Sequence, residues 1–332
     1  MTTPRHDPLL VLPRGNYGKN RKHWHAARHA GITATDAAVI LGVSPYASPL
    51  SLFIDKTTPA PDGDVYLNES AEWGNLLEDV VARKWAKQNK QAGIGIIAPC
   101  PGILAHPDHP WLLATIDRYI VPRRGAEPTS VLEVKTTTSD WPENGDLPDR
   151  IVVQVQVQLA VTGLDHAYVA ALHLGRGKKY REWLVQRDDY LIEQIIAACD
   201  EFRFAVLLNE PPAPIGHDAD DDALKTLYPG NYVTAPVTID DISASLRRGL
   251  VEKRDRLEQE IKELDQRVKA EMRDATEAIN ADGEVLFTWR PSTSMRLDQA
   301  ALKNEHPDLV DQYLVPSITR RFLSKTPKAS KK

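Results

Sequence analysis

Apolar positions recur at helical spacing through residues 69 to 90, where Trp73, Leu77, Val80, Val81 and Trp85 mark an amphipathic helix. The period then changes. Three stretches, around 94 to 105, 111 to 121 and 130 to 136, have strand length and composition, and the turn-rich RRGAEP between the last two predicts a hairpin. Residues 147 to 163 carry two periods at once. The Val/Gln alternation of VVQVQVQ fits a strand. Against it, Asp149 after Pro148 reads as an N-cap, Gly163 reads as a stop, and Ile151, Val155 and Leu159 share one helical face. Helix is the reading adopted. Strands at 167 to 174 and 180 to 186, joined by GRGKK, precede a long helix from about 189 to 209.

The order is therefore helix, three strands, helix, strand, which makes the chain α/β. The Pro- and Asp-rich stretch 211 to 222 is the best linker candidate, so the expected domains are 1–212 and 213–332. Beyond it, Leu250, Leu257, Ile261, Leu264 and Val268 form a narrow stripe in a highly charged helix, a coiled-coil-like pattern. The residues after 283 read as two strands around a helix. No internal repeat is evident.

Composition narrows the classes. The chain has 332 residues with 42% hydrophobic content, ordinary for a folded protein. Two distant cysteines, Cys100 and Cys199, imply neither a disulfide framework nor a clustered zinc site. No apolar run approaches membrane-spanning length and the first ten residues lack a signal-peptide core, so a cytoplasmic location with no membrane partner is expected. The net charge of -5 argues against nucleic acid, but its distribution does not. Residues 13 to 31 carry Arg14, Lys19, Arg21, Lys22 and Arg28 with no acid, and the tail from 319 to 332 is likewise basic. Local positive patches bind phosphates whatever the global sum.

Chemistry concentrates in TSVLEVKTTTSDW, residues 129 to 141. Strand alternation points Glu133 and Lys135 to one side and Leu132 and Val134 to the other. A symmetric turn centred on Gly125 would set Asp117 across from Glu133 and Thr115 across from Lys135. Two facing carboxylates are unfavourable unless a proton or cation sits between them. All-oxygen ligation suits Mg²⁺, with Mn²⁺ as a substitute. An Asp and a Glu in this register with a lysine beside them make a hydrolytic site; a surface Glu/Lys pair on an edge strand is the bland alternative.

Asp117 followed by Glu133-Val134-Lys135, with a helix before and a Gln-bearing helix after, resembles the PD-(D/E)XK nuclease superfamily. More narrowly it resembles the YqaJ-type viral recombinases, the group that includes phage lambda exonuclease. The stretches that carry the likeness are RHAGITATDAAVILGVSPYASPLSLF, EWGNLLEDVVARKW, LLATIDRYI, LEVKT and QVQVQLAVTG, together about 28 to 187. Two departures stand out: Ile116 replaces the usual proline before the first Asp, and Trp141 or a neighbour replaces a family arginine.

The resemblance implies a restriction-endonuclease-like, mixed β-sheet core flanked by helices, with a C-terminal helical or α+β extension. It implies metal ligation by Asp117, Glu133, the Val134 backbone and Glu78, with Lys135 catalytic and Gln154 orienting the site. Gln158 lies one turn further on the same helical face. Arg28, Thr33 and Thr35 would hold a 5′-terminal phosphate at a helix start, with Thr115 joining them. Trp24 could stack on a base or anchor a core. The implied activity is a Mg²⁺-dependent exonuclease acting on double-stranded DNA ends and leaving 3′ single strands for a single-strand annealing recombination protein. A ring-shaped homotrimer is also implied. A structure-specific endonuclease on the same core, and a non-catalytic DNA-binding scaffold, are the alternatives.

Overall fold

The structure, a computed structural model, describes residues 6–16, 22–59, 69–139, 141, 145–175, 179–230 and 236–315. The chain divides into two compact units, Met1–Pro229 and Gly230–Lys332. The first contains β1 (Leu9–Pro13), α1 (Lys22–His29), β2 (Ile32–Thr33), α2 (Ala34–Ile40), α3 (Pro49–Thr57), α4 (Glu69–Gln88), β3 (Ile97–Pro99) and β4 (Gly102–Ala105). It continues with β5 (Leu112–Ala114), β6 (Arg118–Ile120), β7 (Ser130–Thr137), α5 (Asp149–Thr162), β8 (His166–His173), β9 (Tyr180–Gln186), α6 (Asp189–Leu208) and α7 (Asp218–Leu227).

A five-stranded sheet in the order β3-β6-β7-β8-β9 carries the centre of this unit. β7 and β8 are parallel, with α5 as their crossover, and the other pairs are antiparallel. Side chains of β7 divide between its faces. Leu132 and Val134 pack with Val81, Ala82 and Trp85 of α4 and with Ile120 and Ala170. Val131 joins the larger core built with α2, α5 and α6. Glu133 follows Val131 by two positions and so faces α5. The result is a mixed α/β core with helices on both faces of the sheet.

A second sheet, β1-β4-β5-β2, changes two of the strand expectations. The segment 94–105 divides into β3 and β4, which belong to different sheets, and Pro101 between them supplies no ladder N–H. The segment 111–121 divides into β5 and β6, with Thr115, Ile116 and Asp117 outside both. The hairpin keeps the expected register, Arg118 opposite Leu132 and Ile120 opposite Ser130, around a turn where Gly125 has φ 75°. The ladder ends at Arg118. Asp117 therefore lies beyond it instead of pairing with Glu133 as a strand residue, and Thr115 does not pair with Lys135. β1 had no sequence signal; it approaches Gly102 so closely that a Cβ there would overlap the Leu12 carbonyl.

The ambiguous segment is a helix, α5, ended by Gly163 in the left-handed region at φ 67°. Its N-cap is Pro148, with no side-chain cap, and Asp149 stands one place later than expected, in the first turn. The Val/Gln alternation belongs to a helix buried on all sides, where each glutamine needs its own partner. Gln156, pointing away from Gln154 and Gln158, donates to the Gln186 carbonyl at 2.8 Å and accepts the Asp188 N–H at 3.0 Å. Within 211–222, Asp220 Oδ2 accepts the N–H groups of Ile215, Gly216 and His217, and α7 packs on α3.

The second unit contains α8 (Asp241–Met272), the antiparallel pair β10 (Glu277–Ile279) and β11 (Val285–Thr288), α9 (Gln299–Glu305) and α10 (Pro307–Tyr313). This differs from two strands around a helix after 283: β11 pairs backward with β10, and two short helices follow. Lys19, Arg21 and the basic tail lie outside the described residues. Among the described residues, no helix is long and apolar enough to cross a membrane.

His106, between β4 and β5, is buried and accepts the N–H groups of Asp108 and His109 through Nδ1. Burial, and then the neighbouring His6 and His109 rings, hold its pKa down at about 4. The unfolded chain, with an ordinary histidine near 6.5, binds the proton first, so stability is lost as pH falls from about 6.5 to about 4. In His106→Asn the amide oxygen keeps an acceptor in place. Denaturation midpoints measured at pH 7 and pH 4.5 should differ less for that variant than for the wild type.

Candidate active site

The site grows from one buried carboxylate. Glu133 is 1% exposed, held in the middle of β7 by its pairing with Val169 of β8 and by α5 above. An unpaired charge there would be untenable, and the structure supplies three donors. Gln154 Nε2 donates to Oε1 at 2.6 Å, Gln158 Nε2 donates to Oε2 at 2.6 Å, and Lys135 Nζ lies 2.6 Å from Oε1. Gln154 and Gln158 are one helical turn apart on α5, which is why both reach the same carboxylate.

Asp117 enters from the break between β5 and β6. Its Oδ2 accepts the Val134 N–H at 2.8 Å, which sets it beside Glu133 without a strand pairing. Burial first, and then the Glu133 charge, push the Asp117 carboxyl well above its usual range, against the pull of Lys135. Burial alone would lower the proton affinity of Lys135, but Glu133 and Asp117 outweigh it and the ammonium is held on more tightly than usual. Asp117 thus holds its proton more tightly than an ordinary carboxyl, beside a firmly fixed cation. Nearby, the Thr115 hydroxyl and Gln158 Oε1 are buried with no hydrogen-bond partner among the described residues.

Glu78 stands apart from this set. It is paired with Arg118, whose Nη1 also donates to the Asp117 carbonyl at 2.6 Å and whose Nη2 reaches Asp79 at 3.4 Å. Arg118 opposes Leu132, so it lies on the α4 side of the sheet, while Glu133 lies on the α5 side. Among the described residues no three His, Cys, Asp or Glu side chains converge as a ready ligand set. Mg²⁺ does not require three: one or two carboxylates with water suffice, and it accepts oxygen alone. The Asp117/Glu133 pair, the main-chain oxygen of Val134 and the raised Asp117 proton affinity suit a hard divalent cation in that manner.

The second cluster forms at the start of α2. Thr33 is the N-cap in a capping box with Asp36, while Thr35 is inside the first turn, with the two hydroxyl oxygens 3.0 Å apart. Arg28 Nη2 donates to Thr35 Oγ1 at 3.1 Å and stacks over Trp24, 4.5 Å from the ring centre. Trp24 packs against the Ile103, Ala105 and Leu113 cluster, so its ring serves the core. Lys56, absent from the sequence reading, ties this corner together. Its ammonium meets Asp36 at 2.9 Å and donates to the Arg28 and Gly31 carbonyls at 3.0 and 2.7 Å.

A cleft of about 310 Å³ joins the two clusters, with Thr35 on one wall, Lys135 and Gln154 on the other, and Arg150, Tyr46 and Trp141 around it. Trp141 is buried against Trp183 and His173, so it gives the cleft an apolar wall. Arg150 lies 5.9 Å from the Tyr46 ring. Neither Arg118 nor Arg150 had been singled out. The one signal for Arg118 was its position directly after Asp117, and it became meaningful only once the strand broke there.

Gln158→Met would leave Glu133 Oε2 buried without its donor. The expected loss is about 1–3 kcal/mol of stability at neutral pH. In a Glu133→Gln background the same change should cost distinctly less, because the charge it serves is gone. Chemical denaturation of the four proteins of this cycle measures both.

The chain is similar to known proteins in two ways. Residues 23–165 match the YqaJ-like viral recombinase domain. Over 335 aligned residues, 97% of this chain and 98% of the relative, it is 32% identical to the uncharacterized protein YqaJ of Bacillus subtilis (strain 168). Among solved structures, the alkaline exonuclease LHK-Exo of Laribacter hongkongensis aligns at 20% identity and TM-score 0.42, over 57% of this chain and 94% of that one. A phage related exonuclease of Haemophilus somnus 129PT aligns at 12% identity and TM-score 0.33, over 56% and 99%. The near-full-length identity to the Bacillus protein and the matched domain agree, and the chain belongs to the YqaJ-like viral recombinase family.

Proposed function

We propose that the chain is a Mg²⁺-dependent exonuclease that digests double-stranded DNA from 5′ ends, leaving 3′ single strands for a recombination partner. The observation that carries this reading is the buried Glu133 carboxylate, oriented by two glutamines and a lysine, with Asp117 beside it. Such an assembly is costly to bury and unnecessary for folding, since a hydrophobic residue would serve the core better. Membership of a viral recombinase family supports DNA as the substrate.

Asp117, Glu133 and the Val134 carbonyl would hold the cation. When bound, it lowers the pKa of a coordinated water and offsets charge on a phosphoryl oxygen. Lys135, with its proton held firmly, is suited to stabilising developing negative charge and unsuited to removing a proton. Gln154 keeps Glu133 in one rotamer. Arg28 and the Thr33 and Thr35 hydroxyls would receive the terminal phosphate across the cleft from Lys135. A terminal phosphate carries close to two negative charges near neutral pH and an internal one about one, so this corner favours an end.

Release of label from each end of a linear duplex, with and without Mg²⁺, tests the reading. Asp117→Asn and Glu133→Gln should abolish cleavage while DNA binding survives; near-normal digestion by either variant removes the pair from the chemistry. Cleavage of covalently closed circles would favour an endonuclease instead. Loss of one charge-assisted contact costs about 1.5–3 kcal/mol. Arg28→Ala should therefore slow 5′-phosphorylated duplex by roughly ten- to a hundred-fold and leave 5′-hydroxyl duplex nearly unchanged. Equal wild-type rates on both substrates would take the Arg28 corner out of the mechanism.

A further inference from the structure

α8 has 32 residues and so extends about 48 Å. Four of its apolar side chains are left uncovered, Leu250 at 59% exposed, Leu257 48%, Ile261 58% and Leu264 58%, while Val268 is half-buried and Met272 buried. They are not scattered. Leu250, Leu257 and Leu264 recur at every seventh position, and Ile261 and Val268 fall four residues after the second and third of them. In heptad terms the leucines occupy d and the β-branched residues a, with Arg247 and Arg254 at the other a positions. A highly charged helix with such a seam gains little from its own turns, and its stability comes from whatever meets the seam.

We infer that the α8 seam binds the same seam of a second copy of this chain, antiparallel, in a two-stranded coiled coil. The charges choose both partner and direction. With Ile261 set beside Leu264 of the second copy and Val268 beside its Leu257, Arg254 meets Glu271 of the second copy. The flanking Glu260 meets Arg267 of the second copy. By two-fold symmetry each of these contacts occurs twice. One kind of like-charge contact remains, Glu258 with Asp265, which also occurs twice, and Arg254 already lies beside Glu258 on the same helix at 3.4 Å, which offsets part of its charge. A parallel pair is worse: it gains Lys253 against Glu258, but it stacks Arg247 and Arg254 each on its own copy within the seam and sets Glu260 against Asp265. Net charge complementarity therefore favours a second α8 in the antiparallel direction. The inference is independent of the nuclease reading.

The test is the assembly state of the full-length chain by sedimentation equilibrium. The wild type should sediment at twice the mass of the variant carrying Leu257→Asp with Leu264→Asp, whatever assembly the first unit forms. Glu260→Arg should weaken the dimer by about ten-fold, as expected for two ion pairs turned repulsive, and adding Arg267→Glu should restore it. These charge variants change only solvent-facing side chains and keep the test valid if the aspartate variant misfolds. Direction has its own readout. Mixing chains carrying Glu260→Cys with chains carrying Arg267→Cys should give a disulfide between the two kinds, and Cys100 and Cys199 are buried and do not compete. A monomeric wild type, an assembly indifferent to the Leu257/Leu264 change, or a dimer tightened by Glu260→Arg would each overturn the proposal. Nuclease activity, measured alongside, is expected to persist in the variant that lacks the α8 contact.

Discussion

The carboxylate of Glu133 sets the terms for the rest of the first unit. A charge that is 1% exposed must be neutralised or multiply hydrogen-bonded, and here Lys135, Gln154 and Gln158 divide that task. Two of these donors come from α5, so the helix must cross β7 at one rotation about its own axis. The third is on β7 itself, two residues along the same face. Val155, Val157 and Leu159 can fill the space around the glutamines because the amide N–H groups of Gln154, Gln156 and Gln158 each have an acceptor.

The opposite face of β7 answers to different physics. Leu132 and Val134 meet Trp85, which is fully buried, and this contact fixes the strand against α4 through close packing alone. Strand alternation thus separates a polar, costly face from an apolar, stabilising one at single-residue resolution. A slip of one residue in β7 would exchange them and destroy both at once.

Much of this was legible in the sequence because it depends on short-range periodicity. The placement of Glu133 and Lys135 on one face, the hairpin register around Gly125, and the one-turn spacing of Gln154 and Gln158 all follow from counting. The break at Thr115–Asp117 was not legible. LLATIDRYI has strand composition throughout, and only the existence of a second sheet makes the chain leave one ladder and join another. That break decides the partner of Arg118 and hence the position of Glu78. The meeting of Thr35 with Lys135 across one cleft was equally hidden, since nothing local relates residues so far apart in sequence. Lys56 escaped for a similar reason: its partners are Asp36 and two main-chain carbonyls, all far from it in sequence.

The strand break has a consequence of its own. Asp117 is held where the β5 end of one sheet gives way to the β6 end of another, and Glu133 is braced by a helix that follows both. The two acids come together only after the ladders on either side have formed and α5 has docked. A nascent or partly unfolded chain contains every residue of the site and none of its geometry. The geometry of the site is thereby made conditional on completed folding, so whatever chemistry it performs is withheld from a chain that is still being synthesised.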